Sequence, residues 1–249
     1  MLKPGTGATI AKGQRVTLDY LLVNGTSGKE ADTTWGKSKA NFLADPAKFM
    51  PGLANGMIGQ KVGSRVLVGV TPKDGFADTG NQQLGIAADD TMLFVLDLEA
   101  ASAPLAKATG TAVTPPAGLP TVAFGADGKP TVTIPKTAAP KKLVVQPLIK
   151  GTGKKITKGQ TITAAYVGVN YRTGKPFDSS YQTGNLLDQP IGVGALVPGF
   201  DAGIVGQTVG SRVLLVLPPA SGYGKTGNAQ AGIKGTDTIV FVVDVLDAY

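Results

Sequence analysis

Apolar residues come in short runs of strand length separated by glycine-rich turns, with no stretch spaced as a long amphipathic helix. The runs predict strands over residues 15–23, 64–70 and 91–98, and again over 161–170, 211–217 and 238–246. Val213-Leu214-Leu215-Val216-Leu217 is apolar at every position, which marks a central strand covered on both faces. A short helix is expected to start at Leu196-Val197-Pro198-Gly199-Phe200. Pro198 suits an early helical position, because its missing N–H would find no partner inside the helix. Asp201 falls in the first turn, where negative charge suits the dipole, and Gly206 and Gly210 end the helix within about two turns. Few strands and one short helix per segment predict an α+β arrangement, an antiparallel sheet wrapped around its helix.

The pattern occurs twice. Gly5-Thr6-Gly7, Lys12-Gly13-Gln14, Tyr20 and Asp32 match Gly151-Thr152-Gly153, Lys158-Gly159-Gln160, Tyr166 and Asp178 at an offset of 146. One residue is then gained: Pro51-Gly52, Val62-Gly63-Ser64-Arg65-Val66-Leu67 and Phe94-Val95 match Pro198-Gly199, Val209-Gly210-Ser211-Arg212-Val213-Leu214 and Phe241-Val242. Two copies at so long a period indicate duplicated domains rather than a solenoid. The expected division is 1–100, a Pro/Ala/Thr/Lys-rich linker at 101–142 with a small hairpin at 121–134, and 143–249. A plausible strand at 143–150 precedes the second copy, whereas the first has only Met1-Leu2-Lys3-Pro4 there. The native chain is therefore expected to extend further upstream.

Composition narrows the chemistry. Cys and His are both absent from the 249 residues, so no disulfide, thiolate nucleophile, Cys/His zinc site or His-based triad can be built. The net charge of +7 is unevenly spread: residues 1–100 carry 10 basic and 10 acidic side chains, residues 101–142 carry 5 and 1, and residues 143–249 carry 9 and 6. No basic helix or Arg/aromatic interleaving accompanies it, which argues against nucleic acid as a partner. No apolar run approaches a membrane span of about 18 residues. Gly224-Lys225-Thr226 lacks the glycine a phosphate loop needs, since Pro219 stands there, and Gly192-x-Gly194 reads as a turn. The carboxylates are scattered, and nothing pairs two of them for acid/base work.

The second copy carries, in order, Tyr166-Val167-Gly168, Gly174-Lys175-x-Phe177-Asp178-Ser179-Ser180, Ile191-Gly192-x-Gly194-x-Leu196-Val197-Pro198-Gly199-Phe200-Asp201-x-Gly203, Val209-Gly210-Ser211-Arg212, Pro218-Pro219-x-x-Gly222-Tyr223-Gly224 and Thr238-Ile239-Val240-Phe241-Val242-Val243-Asp244. Over residues 143–249 this resembles the FKBP-type peptidyl-prolyl cis-trans isomerases. The resemblance implies two FKBP-like domains, each a half-wrapped antiparallel sheet around one short helix with a shallow apolar pocket for proline. It places Tyr166, Phe177, Asp178, Val197, Phe200, Tyr223 and Phe241 in the catalytic pocket, with Leu187, Leu196 and Ile233 binding substrate. The floor is Trp in many members and Phe200 here. The Val197 N–H and Tyr223 hydroxyl would hold substrate carbonyls, and Asp178 would face the ligand.

No cofactor or metal is implied. Proline-containing polypeptides are the implied substrates, a rapamycin-type macrolide is an implied ligand, and a monomer is expected. The first copy keeps Tyr20, Asp32 and Phe94 but has Ala31, Leu53 and Phe76 where the second has Phe177, Phe200 and Tyr223. It is expected to be a degenerate domain with weak or no activity. A non-catalytic module gripping proline-rich segments, or a surface adhesin of duplicated β-rich domains, remains open on the sequence alone. The two-domain layout also resembles exported, often lipid-anchored actinobacterial members, so an extracytoplasmic location is expected.

Overall fold

Each repeat builds its sheet on one long strand whose alternate residues face a short helix. In the first, β1 (Arg15–Asn24) buries Val16, Leu18 and Leu22 in the core. It pairs antiparallel with β2 (Glu30–Thr33) and β3 (Ala40–Leu43) along one edge. Helix α1 (Pro51–Met57) then precedes β4 (Arg65–Val70) and β5 (Met92–Ser102). The sheet order is β2-β1-β5-β4, with β3 also on β1. A computed structural model supplies these coordinates and describes residues 1–125 and 128–249, divided into units Met1–Ala103 and Pro104–Tyr249.

The second unit repeats the plan and adds to it. Its first strands are β6 (Thr111–Ala112), β7 (Thr121–Phe124), β8 (Pro130–Thr133) and β9 (Val144–Lys150). The repeated part follows as β10 (Thr161–Asn170), β11 (Pro176–Ser179), α2 (Ser180–Thr183), β12 (Leu187–Pro190), α3 (Pro198–Ile204), β13 (Arg212–Leu217) and β14 (Ile239–Ala248). The order β11-β10-β14-β13-β9-β6 makes β13 an interior strand, whereas its counterpart β4 lies at an edge. Register locates the extra residue of the second repeat. Leu18 faces Ala40 and Ala164 faces Leu187, so the insertion falls between Asp178 and Leu187.

The unbroken apolar run of β13 has a direct cause. Val213, Leu215 and Leu217 face the helix-side core, while Leu214 and Val216 join Val167, Val169, Val240 and Val242 in a second core. Leu119, Val122, Val132 and Ile134 cover that outer face. The stretch expected to link the repeats therefore packs on the second unit from Pro104 onward. Leu105 N–H donates to the Leu246 carbonyl, β6 pairs with β9, and the β7–β8 hairpin supplies the two valines. Ala126 and Asp127 of the expected hairpin turn lie outside the described residues. In the first unit the counterpart of Leu214, Leu67, is 50% exposed.

Both helices approach their sheets closely because glycine faces the strand. A Cβ on Gly56 would lie 2.5 Å from Val68 Cγ1, and one on Gly203 would lie 2.7 Å from Leu215 Cδ2. No helix among the described residues is long and apolar enough to cross a membrane.

Candidate functional site

Strands β10 and β14 run antiparallel with Gly168 opposite Phe241, and the missing side chain at 168 makes room for rings. A Cβ there would lie 2.6 Å from Phe177 Cζ and 2.9 Å from Phe241 Cε1. Phe241 is the hub. Phe177 meets it edge-on at 5.6 Å between centroids, Phe200 does so at 5.3 Å, and Tyr166 is tilted against it at 6.2 Å. Phe200 comes from the first turn of α3, which Pro198 starts, and is 3% exposed. Edge-to-face contacts of this kind fix ring orientation as well as burying area.

Above these rings lies a hollow of about 430 Å³ lined by Tyr166, Asp178, Leu187, Ala195, Leu196, Val197, Phe200, Tyr223 and Phe241. Eight residues expected at the site thus line one cavity, and Phe177 and Ile233 are not among its lining residues. Phe177 supports Phe241 from the side, and Ile233 is packed in the core at 4% exposure. Ala195 was not expected, and a lone methyl group in a glycine-rich turn gives no sequence signal. A larger groove of about 960 Å³ elsewhere in the unit has the Arg212–Asp244 ion pair in its wall and lacks such a ring cluster.

The polar groups of the hollow are few and placed. The Tyr166 hydroxyl donates to Asp178 Oδ2 at 2.6 Å, which pins the carboxylate at the rim. Burial, then that hydrogen bond and the carboxylate charge, push the Tyr166 phenol well above its usual range, so it remains a neutral donor. The Val197 N–H and the Tyr223 hydroxyl have no hydrogen-bond partner among the described residues. Both can therefore donate to a bound carbonyl without first breaking another bond. Among the described residues no cluster of acidic side chains could hold a metal ion.

The first unit differs at the same places. Leu22 replaces Gly168 and Ala31 replaces Phe177, so branched aliphatic bulk on β1 fills the space of the supporting ring. Leu53 stands at the floor at 1% exposure, and Phe76 offers no hydroxyl. Tyr20 still donates to Asp32, and burial with that bond pushes its phenol up to about 12. Phe42, where the second unit has Gln189, packs on Tyr20 at 5.5 Å and on Phe49 at 5.0 Å.

This architecture and ring-floored hollow define a class. Residues 7–99 and 152–246 each match the model of the FKBP-type peptidyl-prolyl cis-trans isomerases, and the chain belongs to that family, with two FKBP domains. It is similar to an FK506-binding protein of Streptomyces anulatus, 35% identical over 118 residues, or 47% of this chain and 95% of the relative. A probable FK506-binding protein of Corynebacterium glutamicum is 36% identical over 120 residues, covering 48% of this chain and 98% of the relative. The crystal structure of AtFKBP13 matches 45% of this chain and 96% of its own at 32% identity, with a TM-score of 0.41.

Proposed function

We propose that this isomerase acts on Xaa-Pro bonds of folding polypeptides, with turnover in the hollow of the second unit. The observation that carries the reading is the pair of unpartnered donors, Val197 N–H and Tyr223 hydroxyl, at an apolar cavity floored by Phe200 and Phe241. Resonance gives the peptide bond a rotation barrier of about 18–20 kcal/mol. A twisted amide has lost that resonance and is less polar than the planar form. An apolar, water-poor wall therefore favours the twisted state over the planar one, and each tenfold acceleration needs about 1.4 kcal/mol of that preference. No nucleophile or acid/base pair is required, which suits a chain without His or Cys.

The residues divide the work. Phe200, Phe241 and Val197 hold the proline ring, with Phe177 keeping Phe241 in place. Val197 N–H and Tyr223 grip the flanking carbonyls, and Asp178, held by Tyr166, faces the rotating amide. Leu187, Ala195 and Leu196 shape the rim for the neighbouring residue. A rapamycin-type macrolide fits the same apolar floor. An extracytoplasmic location is part of this reading and rests on the resemblance of the two-domain layout to exported actinobacterial members; cell fractionation checks it.

A protease-coupled assay on a Xaa-Pro peptide tests the function with the full chain. Wild type should accelerate isomerisation. Tyr223→Phe, which removes one hydrogen bond, should lower kcat/KM by about two- to tenfold. Phe241→Leu, which keeps most of the volume but loses the ring, should lower it by roughly tenfold or more. Peptide binding without acceleration would make the fold a binding module instead.

A further inference from the structure

The rim of the hollow is a segment with almost no hydrogen bonding of its own. Among the described residues, no backbone–backbone hydrogen bond involves residues 192–196. Gly192 and Gly194 both adopt left-handed backbone, with φ of +79° and +83°, a conformation in which a side chain would be strained. Their N–H groups point to a single acceptor. Gly192 donates to Asp201 Oδ1 at 2.6 Å and Gly194 donates to Asp201 Oδ2 at 2.7 Å. Asp201 is 7% exposed and sits beside Phe200 in the first turn of α3. One carboxylate thus joins the helix carrying the floor to the turn carrying Ala195, Leu196 and Val197.

The first unit shows the same turn built without this device. Its helix has Ala54 at the matching place, and the preceding turn closes on itself. Lys48 and Phe49 donate their N–H groups to the Asp45 carbonyl at 3.0 and 2.9 Å. The glycine-rich turn of the second unit has exchanged internal closure for an external anchor.

We propose that Asp201 is a positioning residue for the isomerase site, clasping the Gly192–Gly194 turn so that the Val197 N–H meets the substrate carbonyl at a fixed height above Phe200. This rests on the reading of the hollow as the proline site. The carboxylate does not touch substrate; it acts through the turn. Both of its oxygens are engaged by charge-assisted hydrogen bonds, which are stronger than neutral ones. Asn offers only one acceptor oxygen, so Asp201→Asn frees one glycine N–H and leaves the rim able to shift.

Two measurements on the full chain test it. In wild type, amide hydrogen exchange should show Gly192 and Gly194 protected relative to the exposed turn glycines Gly36 and Gly118, whose N–H groups have no partner among the described residues. Exchange of all four at similar rates would overturn the proposal whatever the variants do. In the coupled assay, Asp201→Asn should raise KM more than it lowers kcat, for about a tenfold loss in kcat/KM. Asp201→Glu, which restores both oxygens, should recover most of it. Equal kcat/KM in wild type and Asp201→Asn would refute the clasp while leaving the active-site reading intact. An inactive wild type would instead refute that reading, and the clasp's functional role with it.

Discussion

Asp237 closes the long loop before β14, and four donors meet it. Arg172 Nε and Nη2 approach at 2.7 and 2.9 Å, Asn170 Nδ2 at 2.7 Å and the Lys234 N–H at 3.0 Å. The Arg172 hydrogen bonds, aided by the Lys234 N–H and the Asn170 amide, hold this carboxyl well below the usual carboxylate range despite its burial. A carboxyl depressed in the folded state adds stability that is complete above its unfolded pKa, about 3.9. That stability is lost as pH falls through the folded value. Arg172 is half-exposed, so screening limits the pair, and Arg172→Met should destabilise the second unit modestly at pH 7. Melting curves should show the gap between variant and wild type narrowing below about pH 3 as Asp237 protonates in both. A gap independent of pH would assign the loss to packing. In the first unit Asn24 and the Ala87 N–H bind Asp90 in the same way, but Thr26 replaces the arginine. The donor set was not readable in advance, because Asn170 and Asp237 are 67 residues apart and meet only when β10 pairs with β14.

At the scale of elements, α3 sets the depth of the hollow, because its first turn carries Phe200. Its seat is fixed by Gly199 and Gly203. A Cβ on Gly199 would lie 2.6 Å from Leu217 Cγ and 2.9 Å from the Ser221 carbonyl oxygen, while one on Gly203 meets Leu215 Cδ2 at 2.7 Å. A leucine methyl can turn aside; a backbone carbonyl cannot. Both alanine substitutions should cost about 1–3 kcal/mol, with Gly199→Ala the worse in stability and in kcat/KM. Chemical denaturation and the coupled assay read both effects, and an equal cost would mean that the helix shifts as a body. Helix α3 was legible because Pro198 and Gly206 bracket it. Strand β12 was not: Leu187-Asp188-Gln189-Pro190 has one large apolar side chain and ends in proline, so pairing with β10, not local preference, makes it a strand. The β7–β8 hairpin was visible as strands, but its docking was not. Val122 and Val132 reveal a buried role only once Leu214 and Val216 lie beneath them. Resemblance placed Phe177 and Ile233 around the hollow; in the fold Phe177 packs edge-on against Phe241 and Ile233 is buried in the helix-side core.

Across the whole molecule, duplication has kept the frame and changed the contents. Ser64 and Ser211 accept from Gly5 and Gly151 at 2.8 and 3.0 Å, and each unit retains its Tyr–Asp rim pair. What differs is the room above the floor. In the first unit Leu22 with Ala31 replaces Gly168 with Phe177, Leu53 replaces the aromatic floor, and Phe42 packs on Tyr20 with Phe49 behind it. Proline therefore finds no aromatic floor there, and the hydroxyl that Tyr223 offers a carbonyl has no equivalent in Phe76. Turnover should therefore respond only to the second unit. In the full chain, Asp32→Asn should leave kcat/KM within error of wild type, although it removes the acceptor of the Tyr20 hydroxyl. The double variant Tyr223→Phe, Phe241→Leu should approach the uncatalysed rate, because it removes the carbonyl donor and the ring wall of one hollow and no second site compensates. Residual catalysis that the double variant keeps and a further Asp32→Asn change abolishes would place a working site in the first unit.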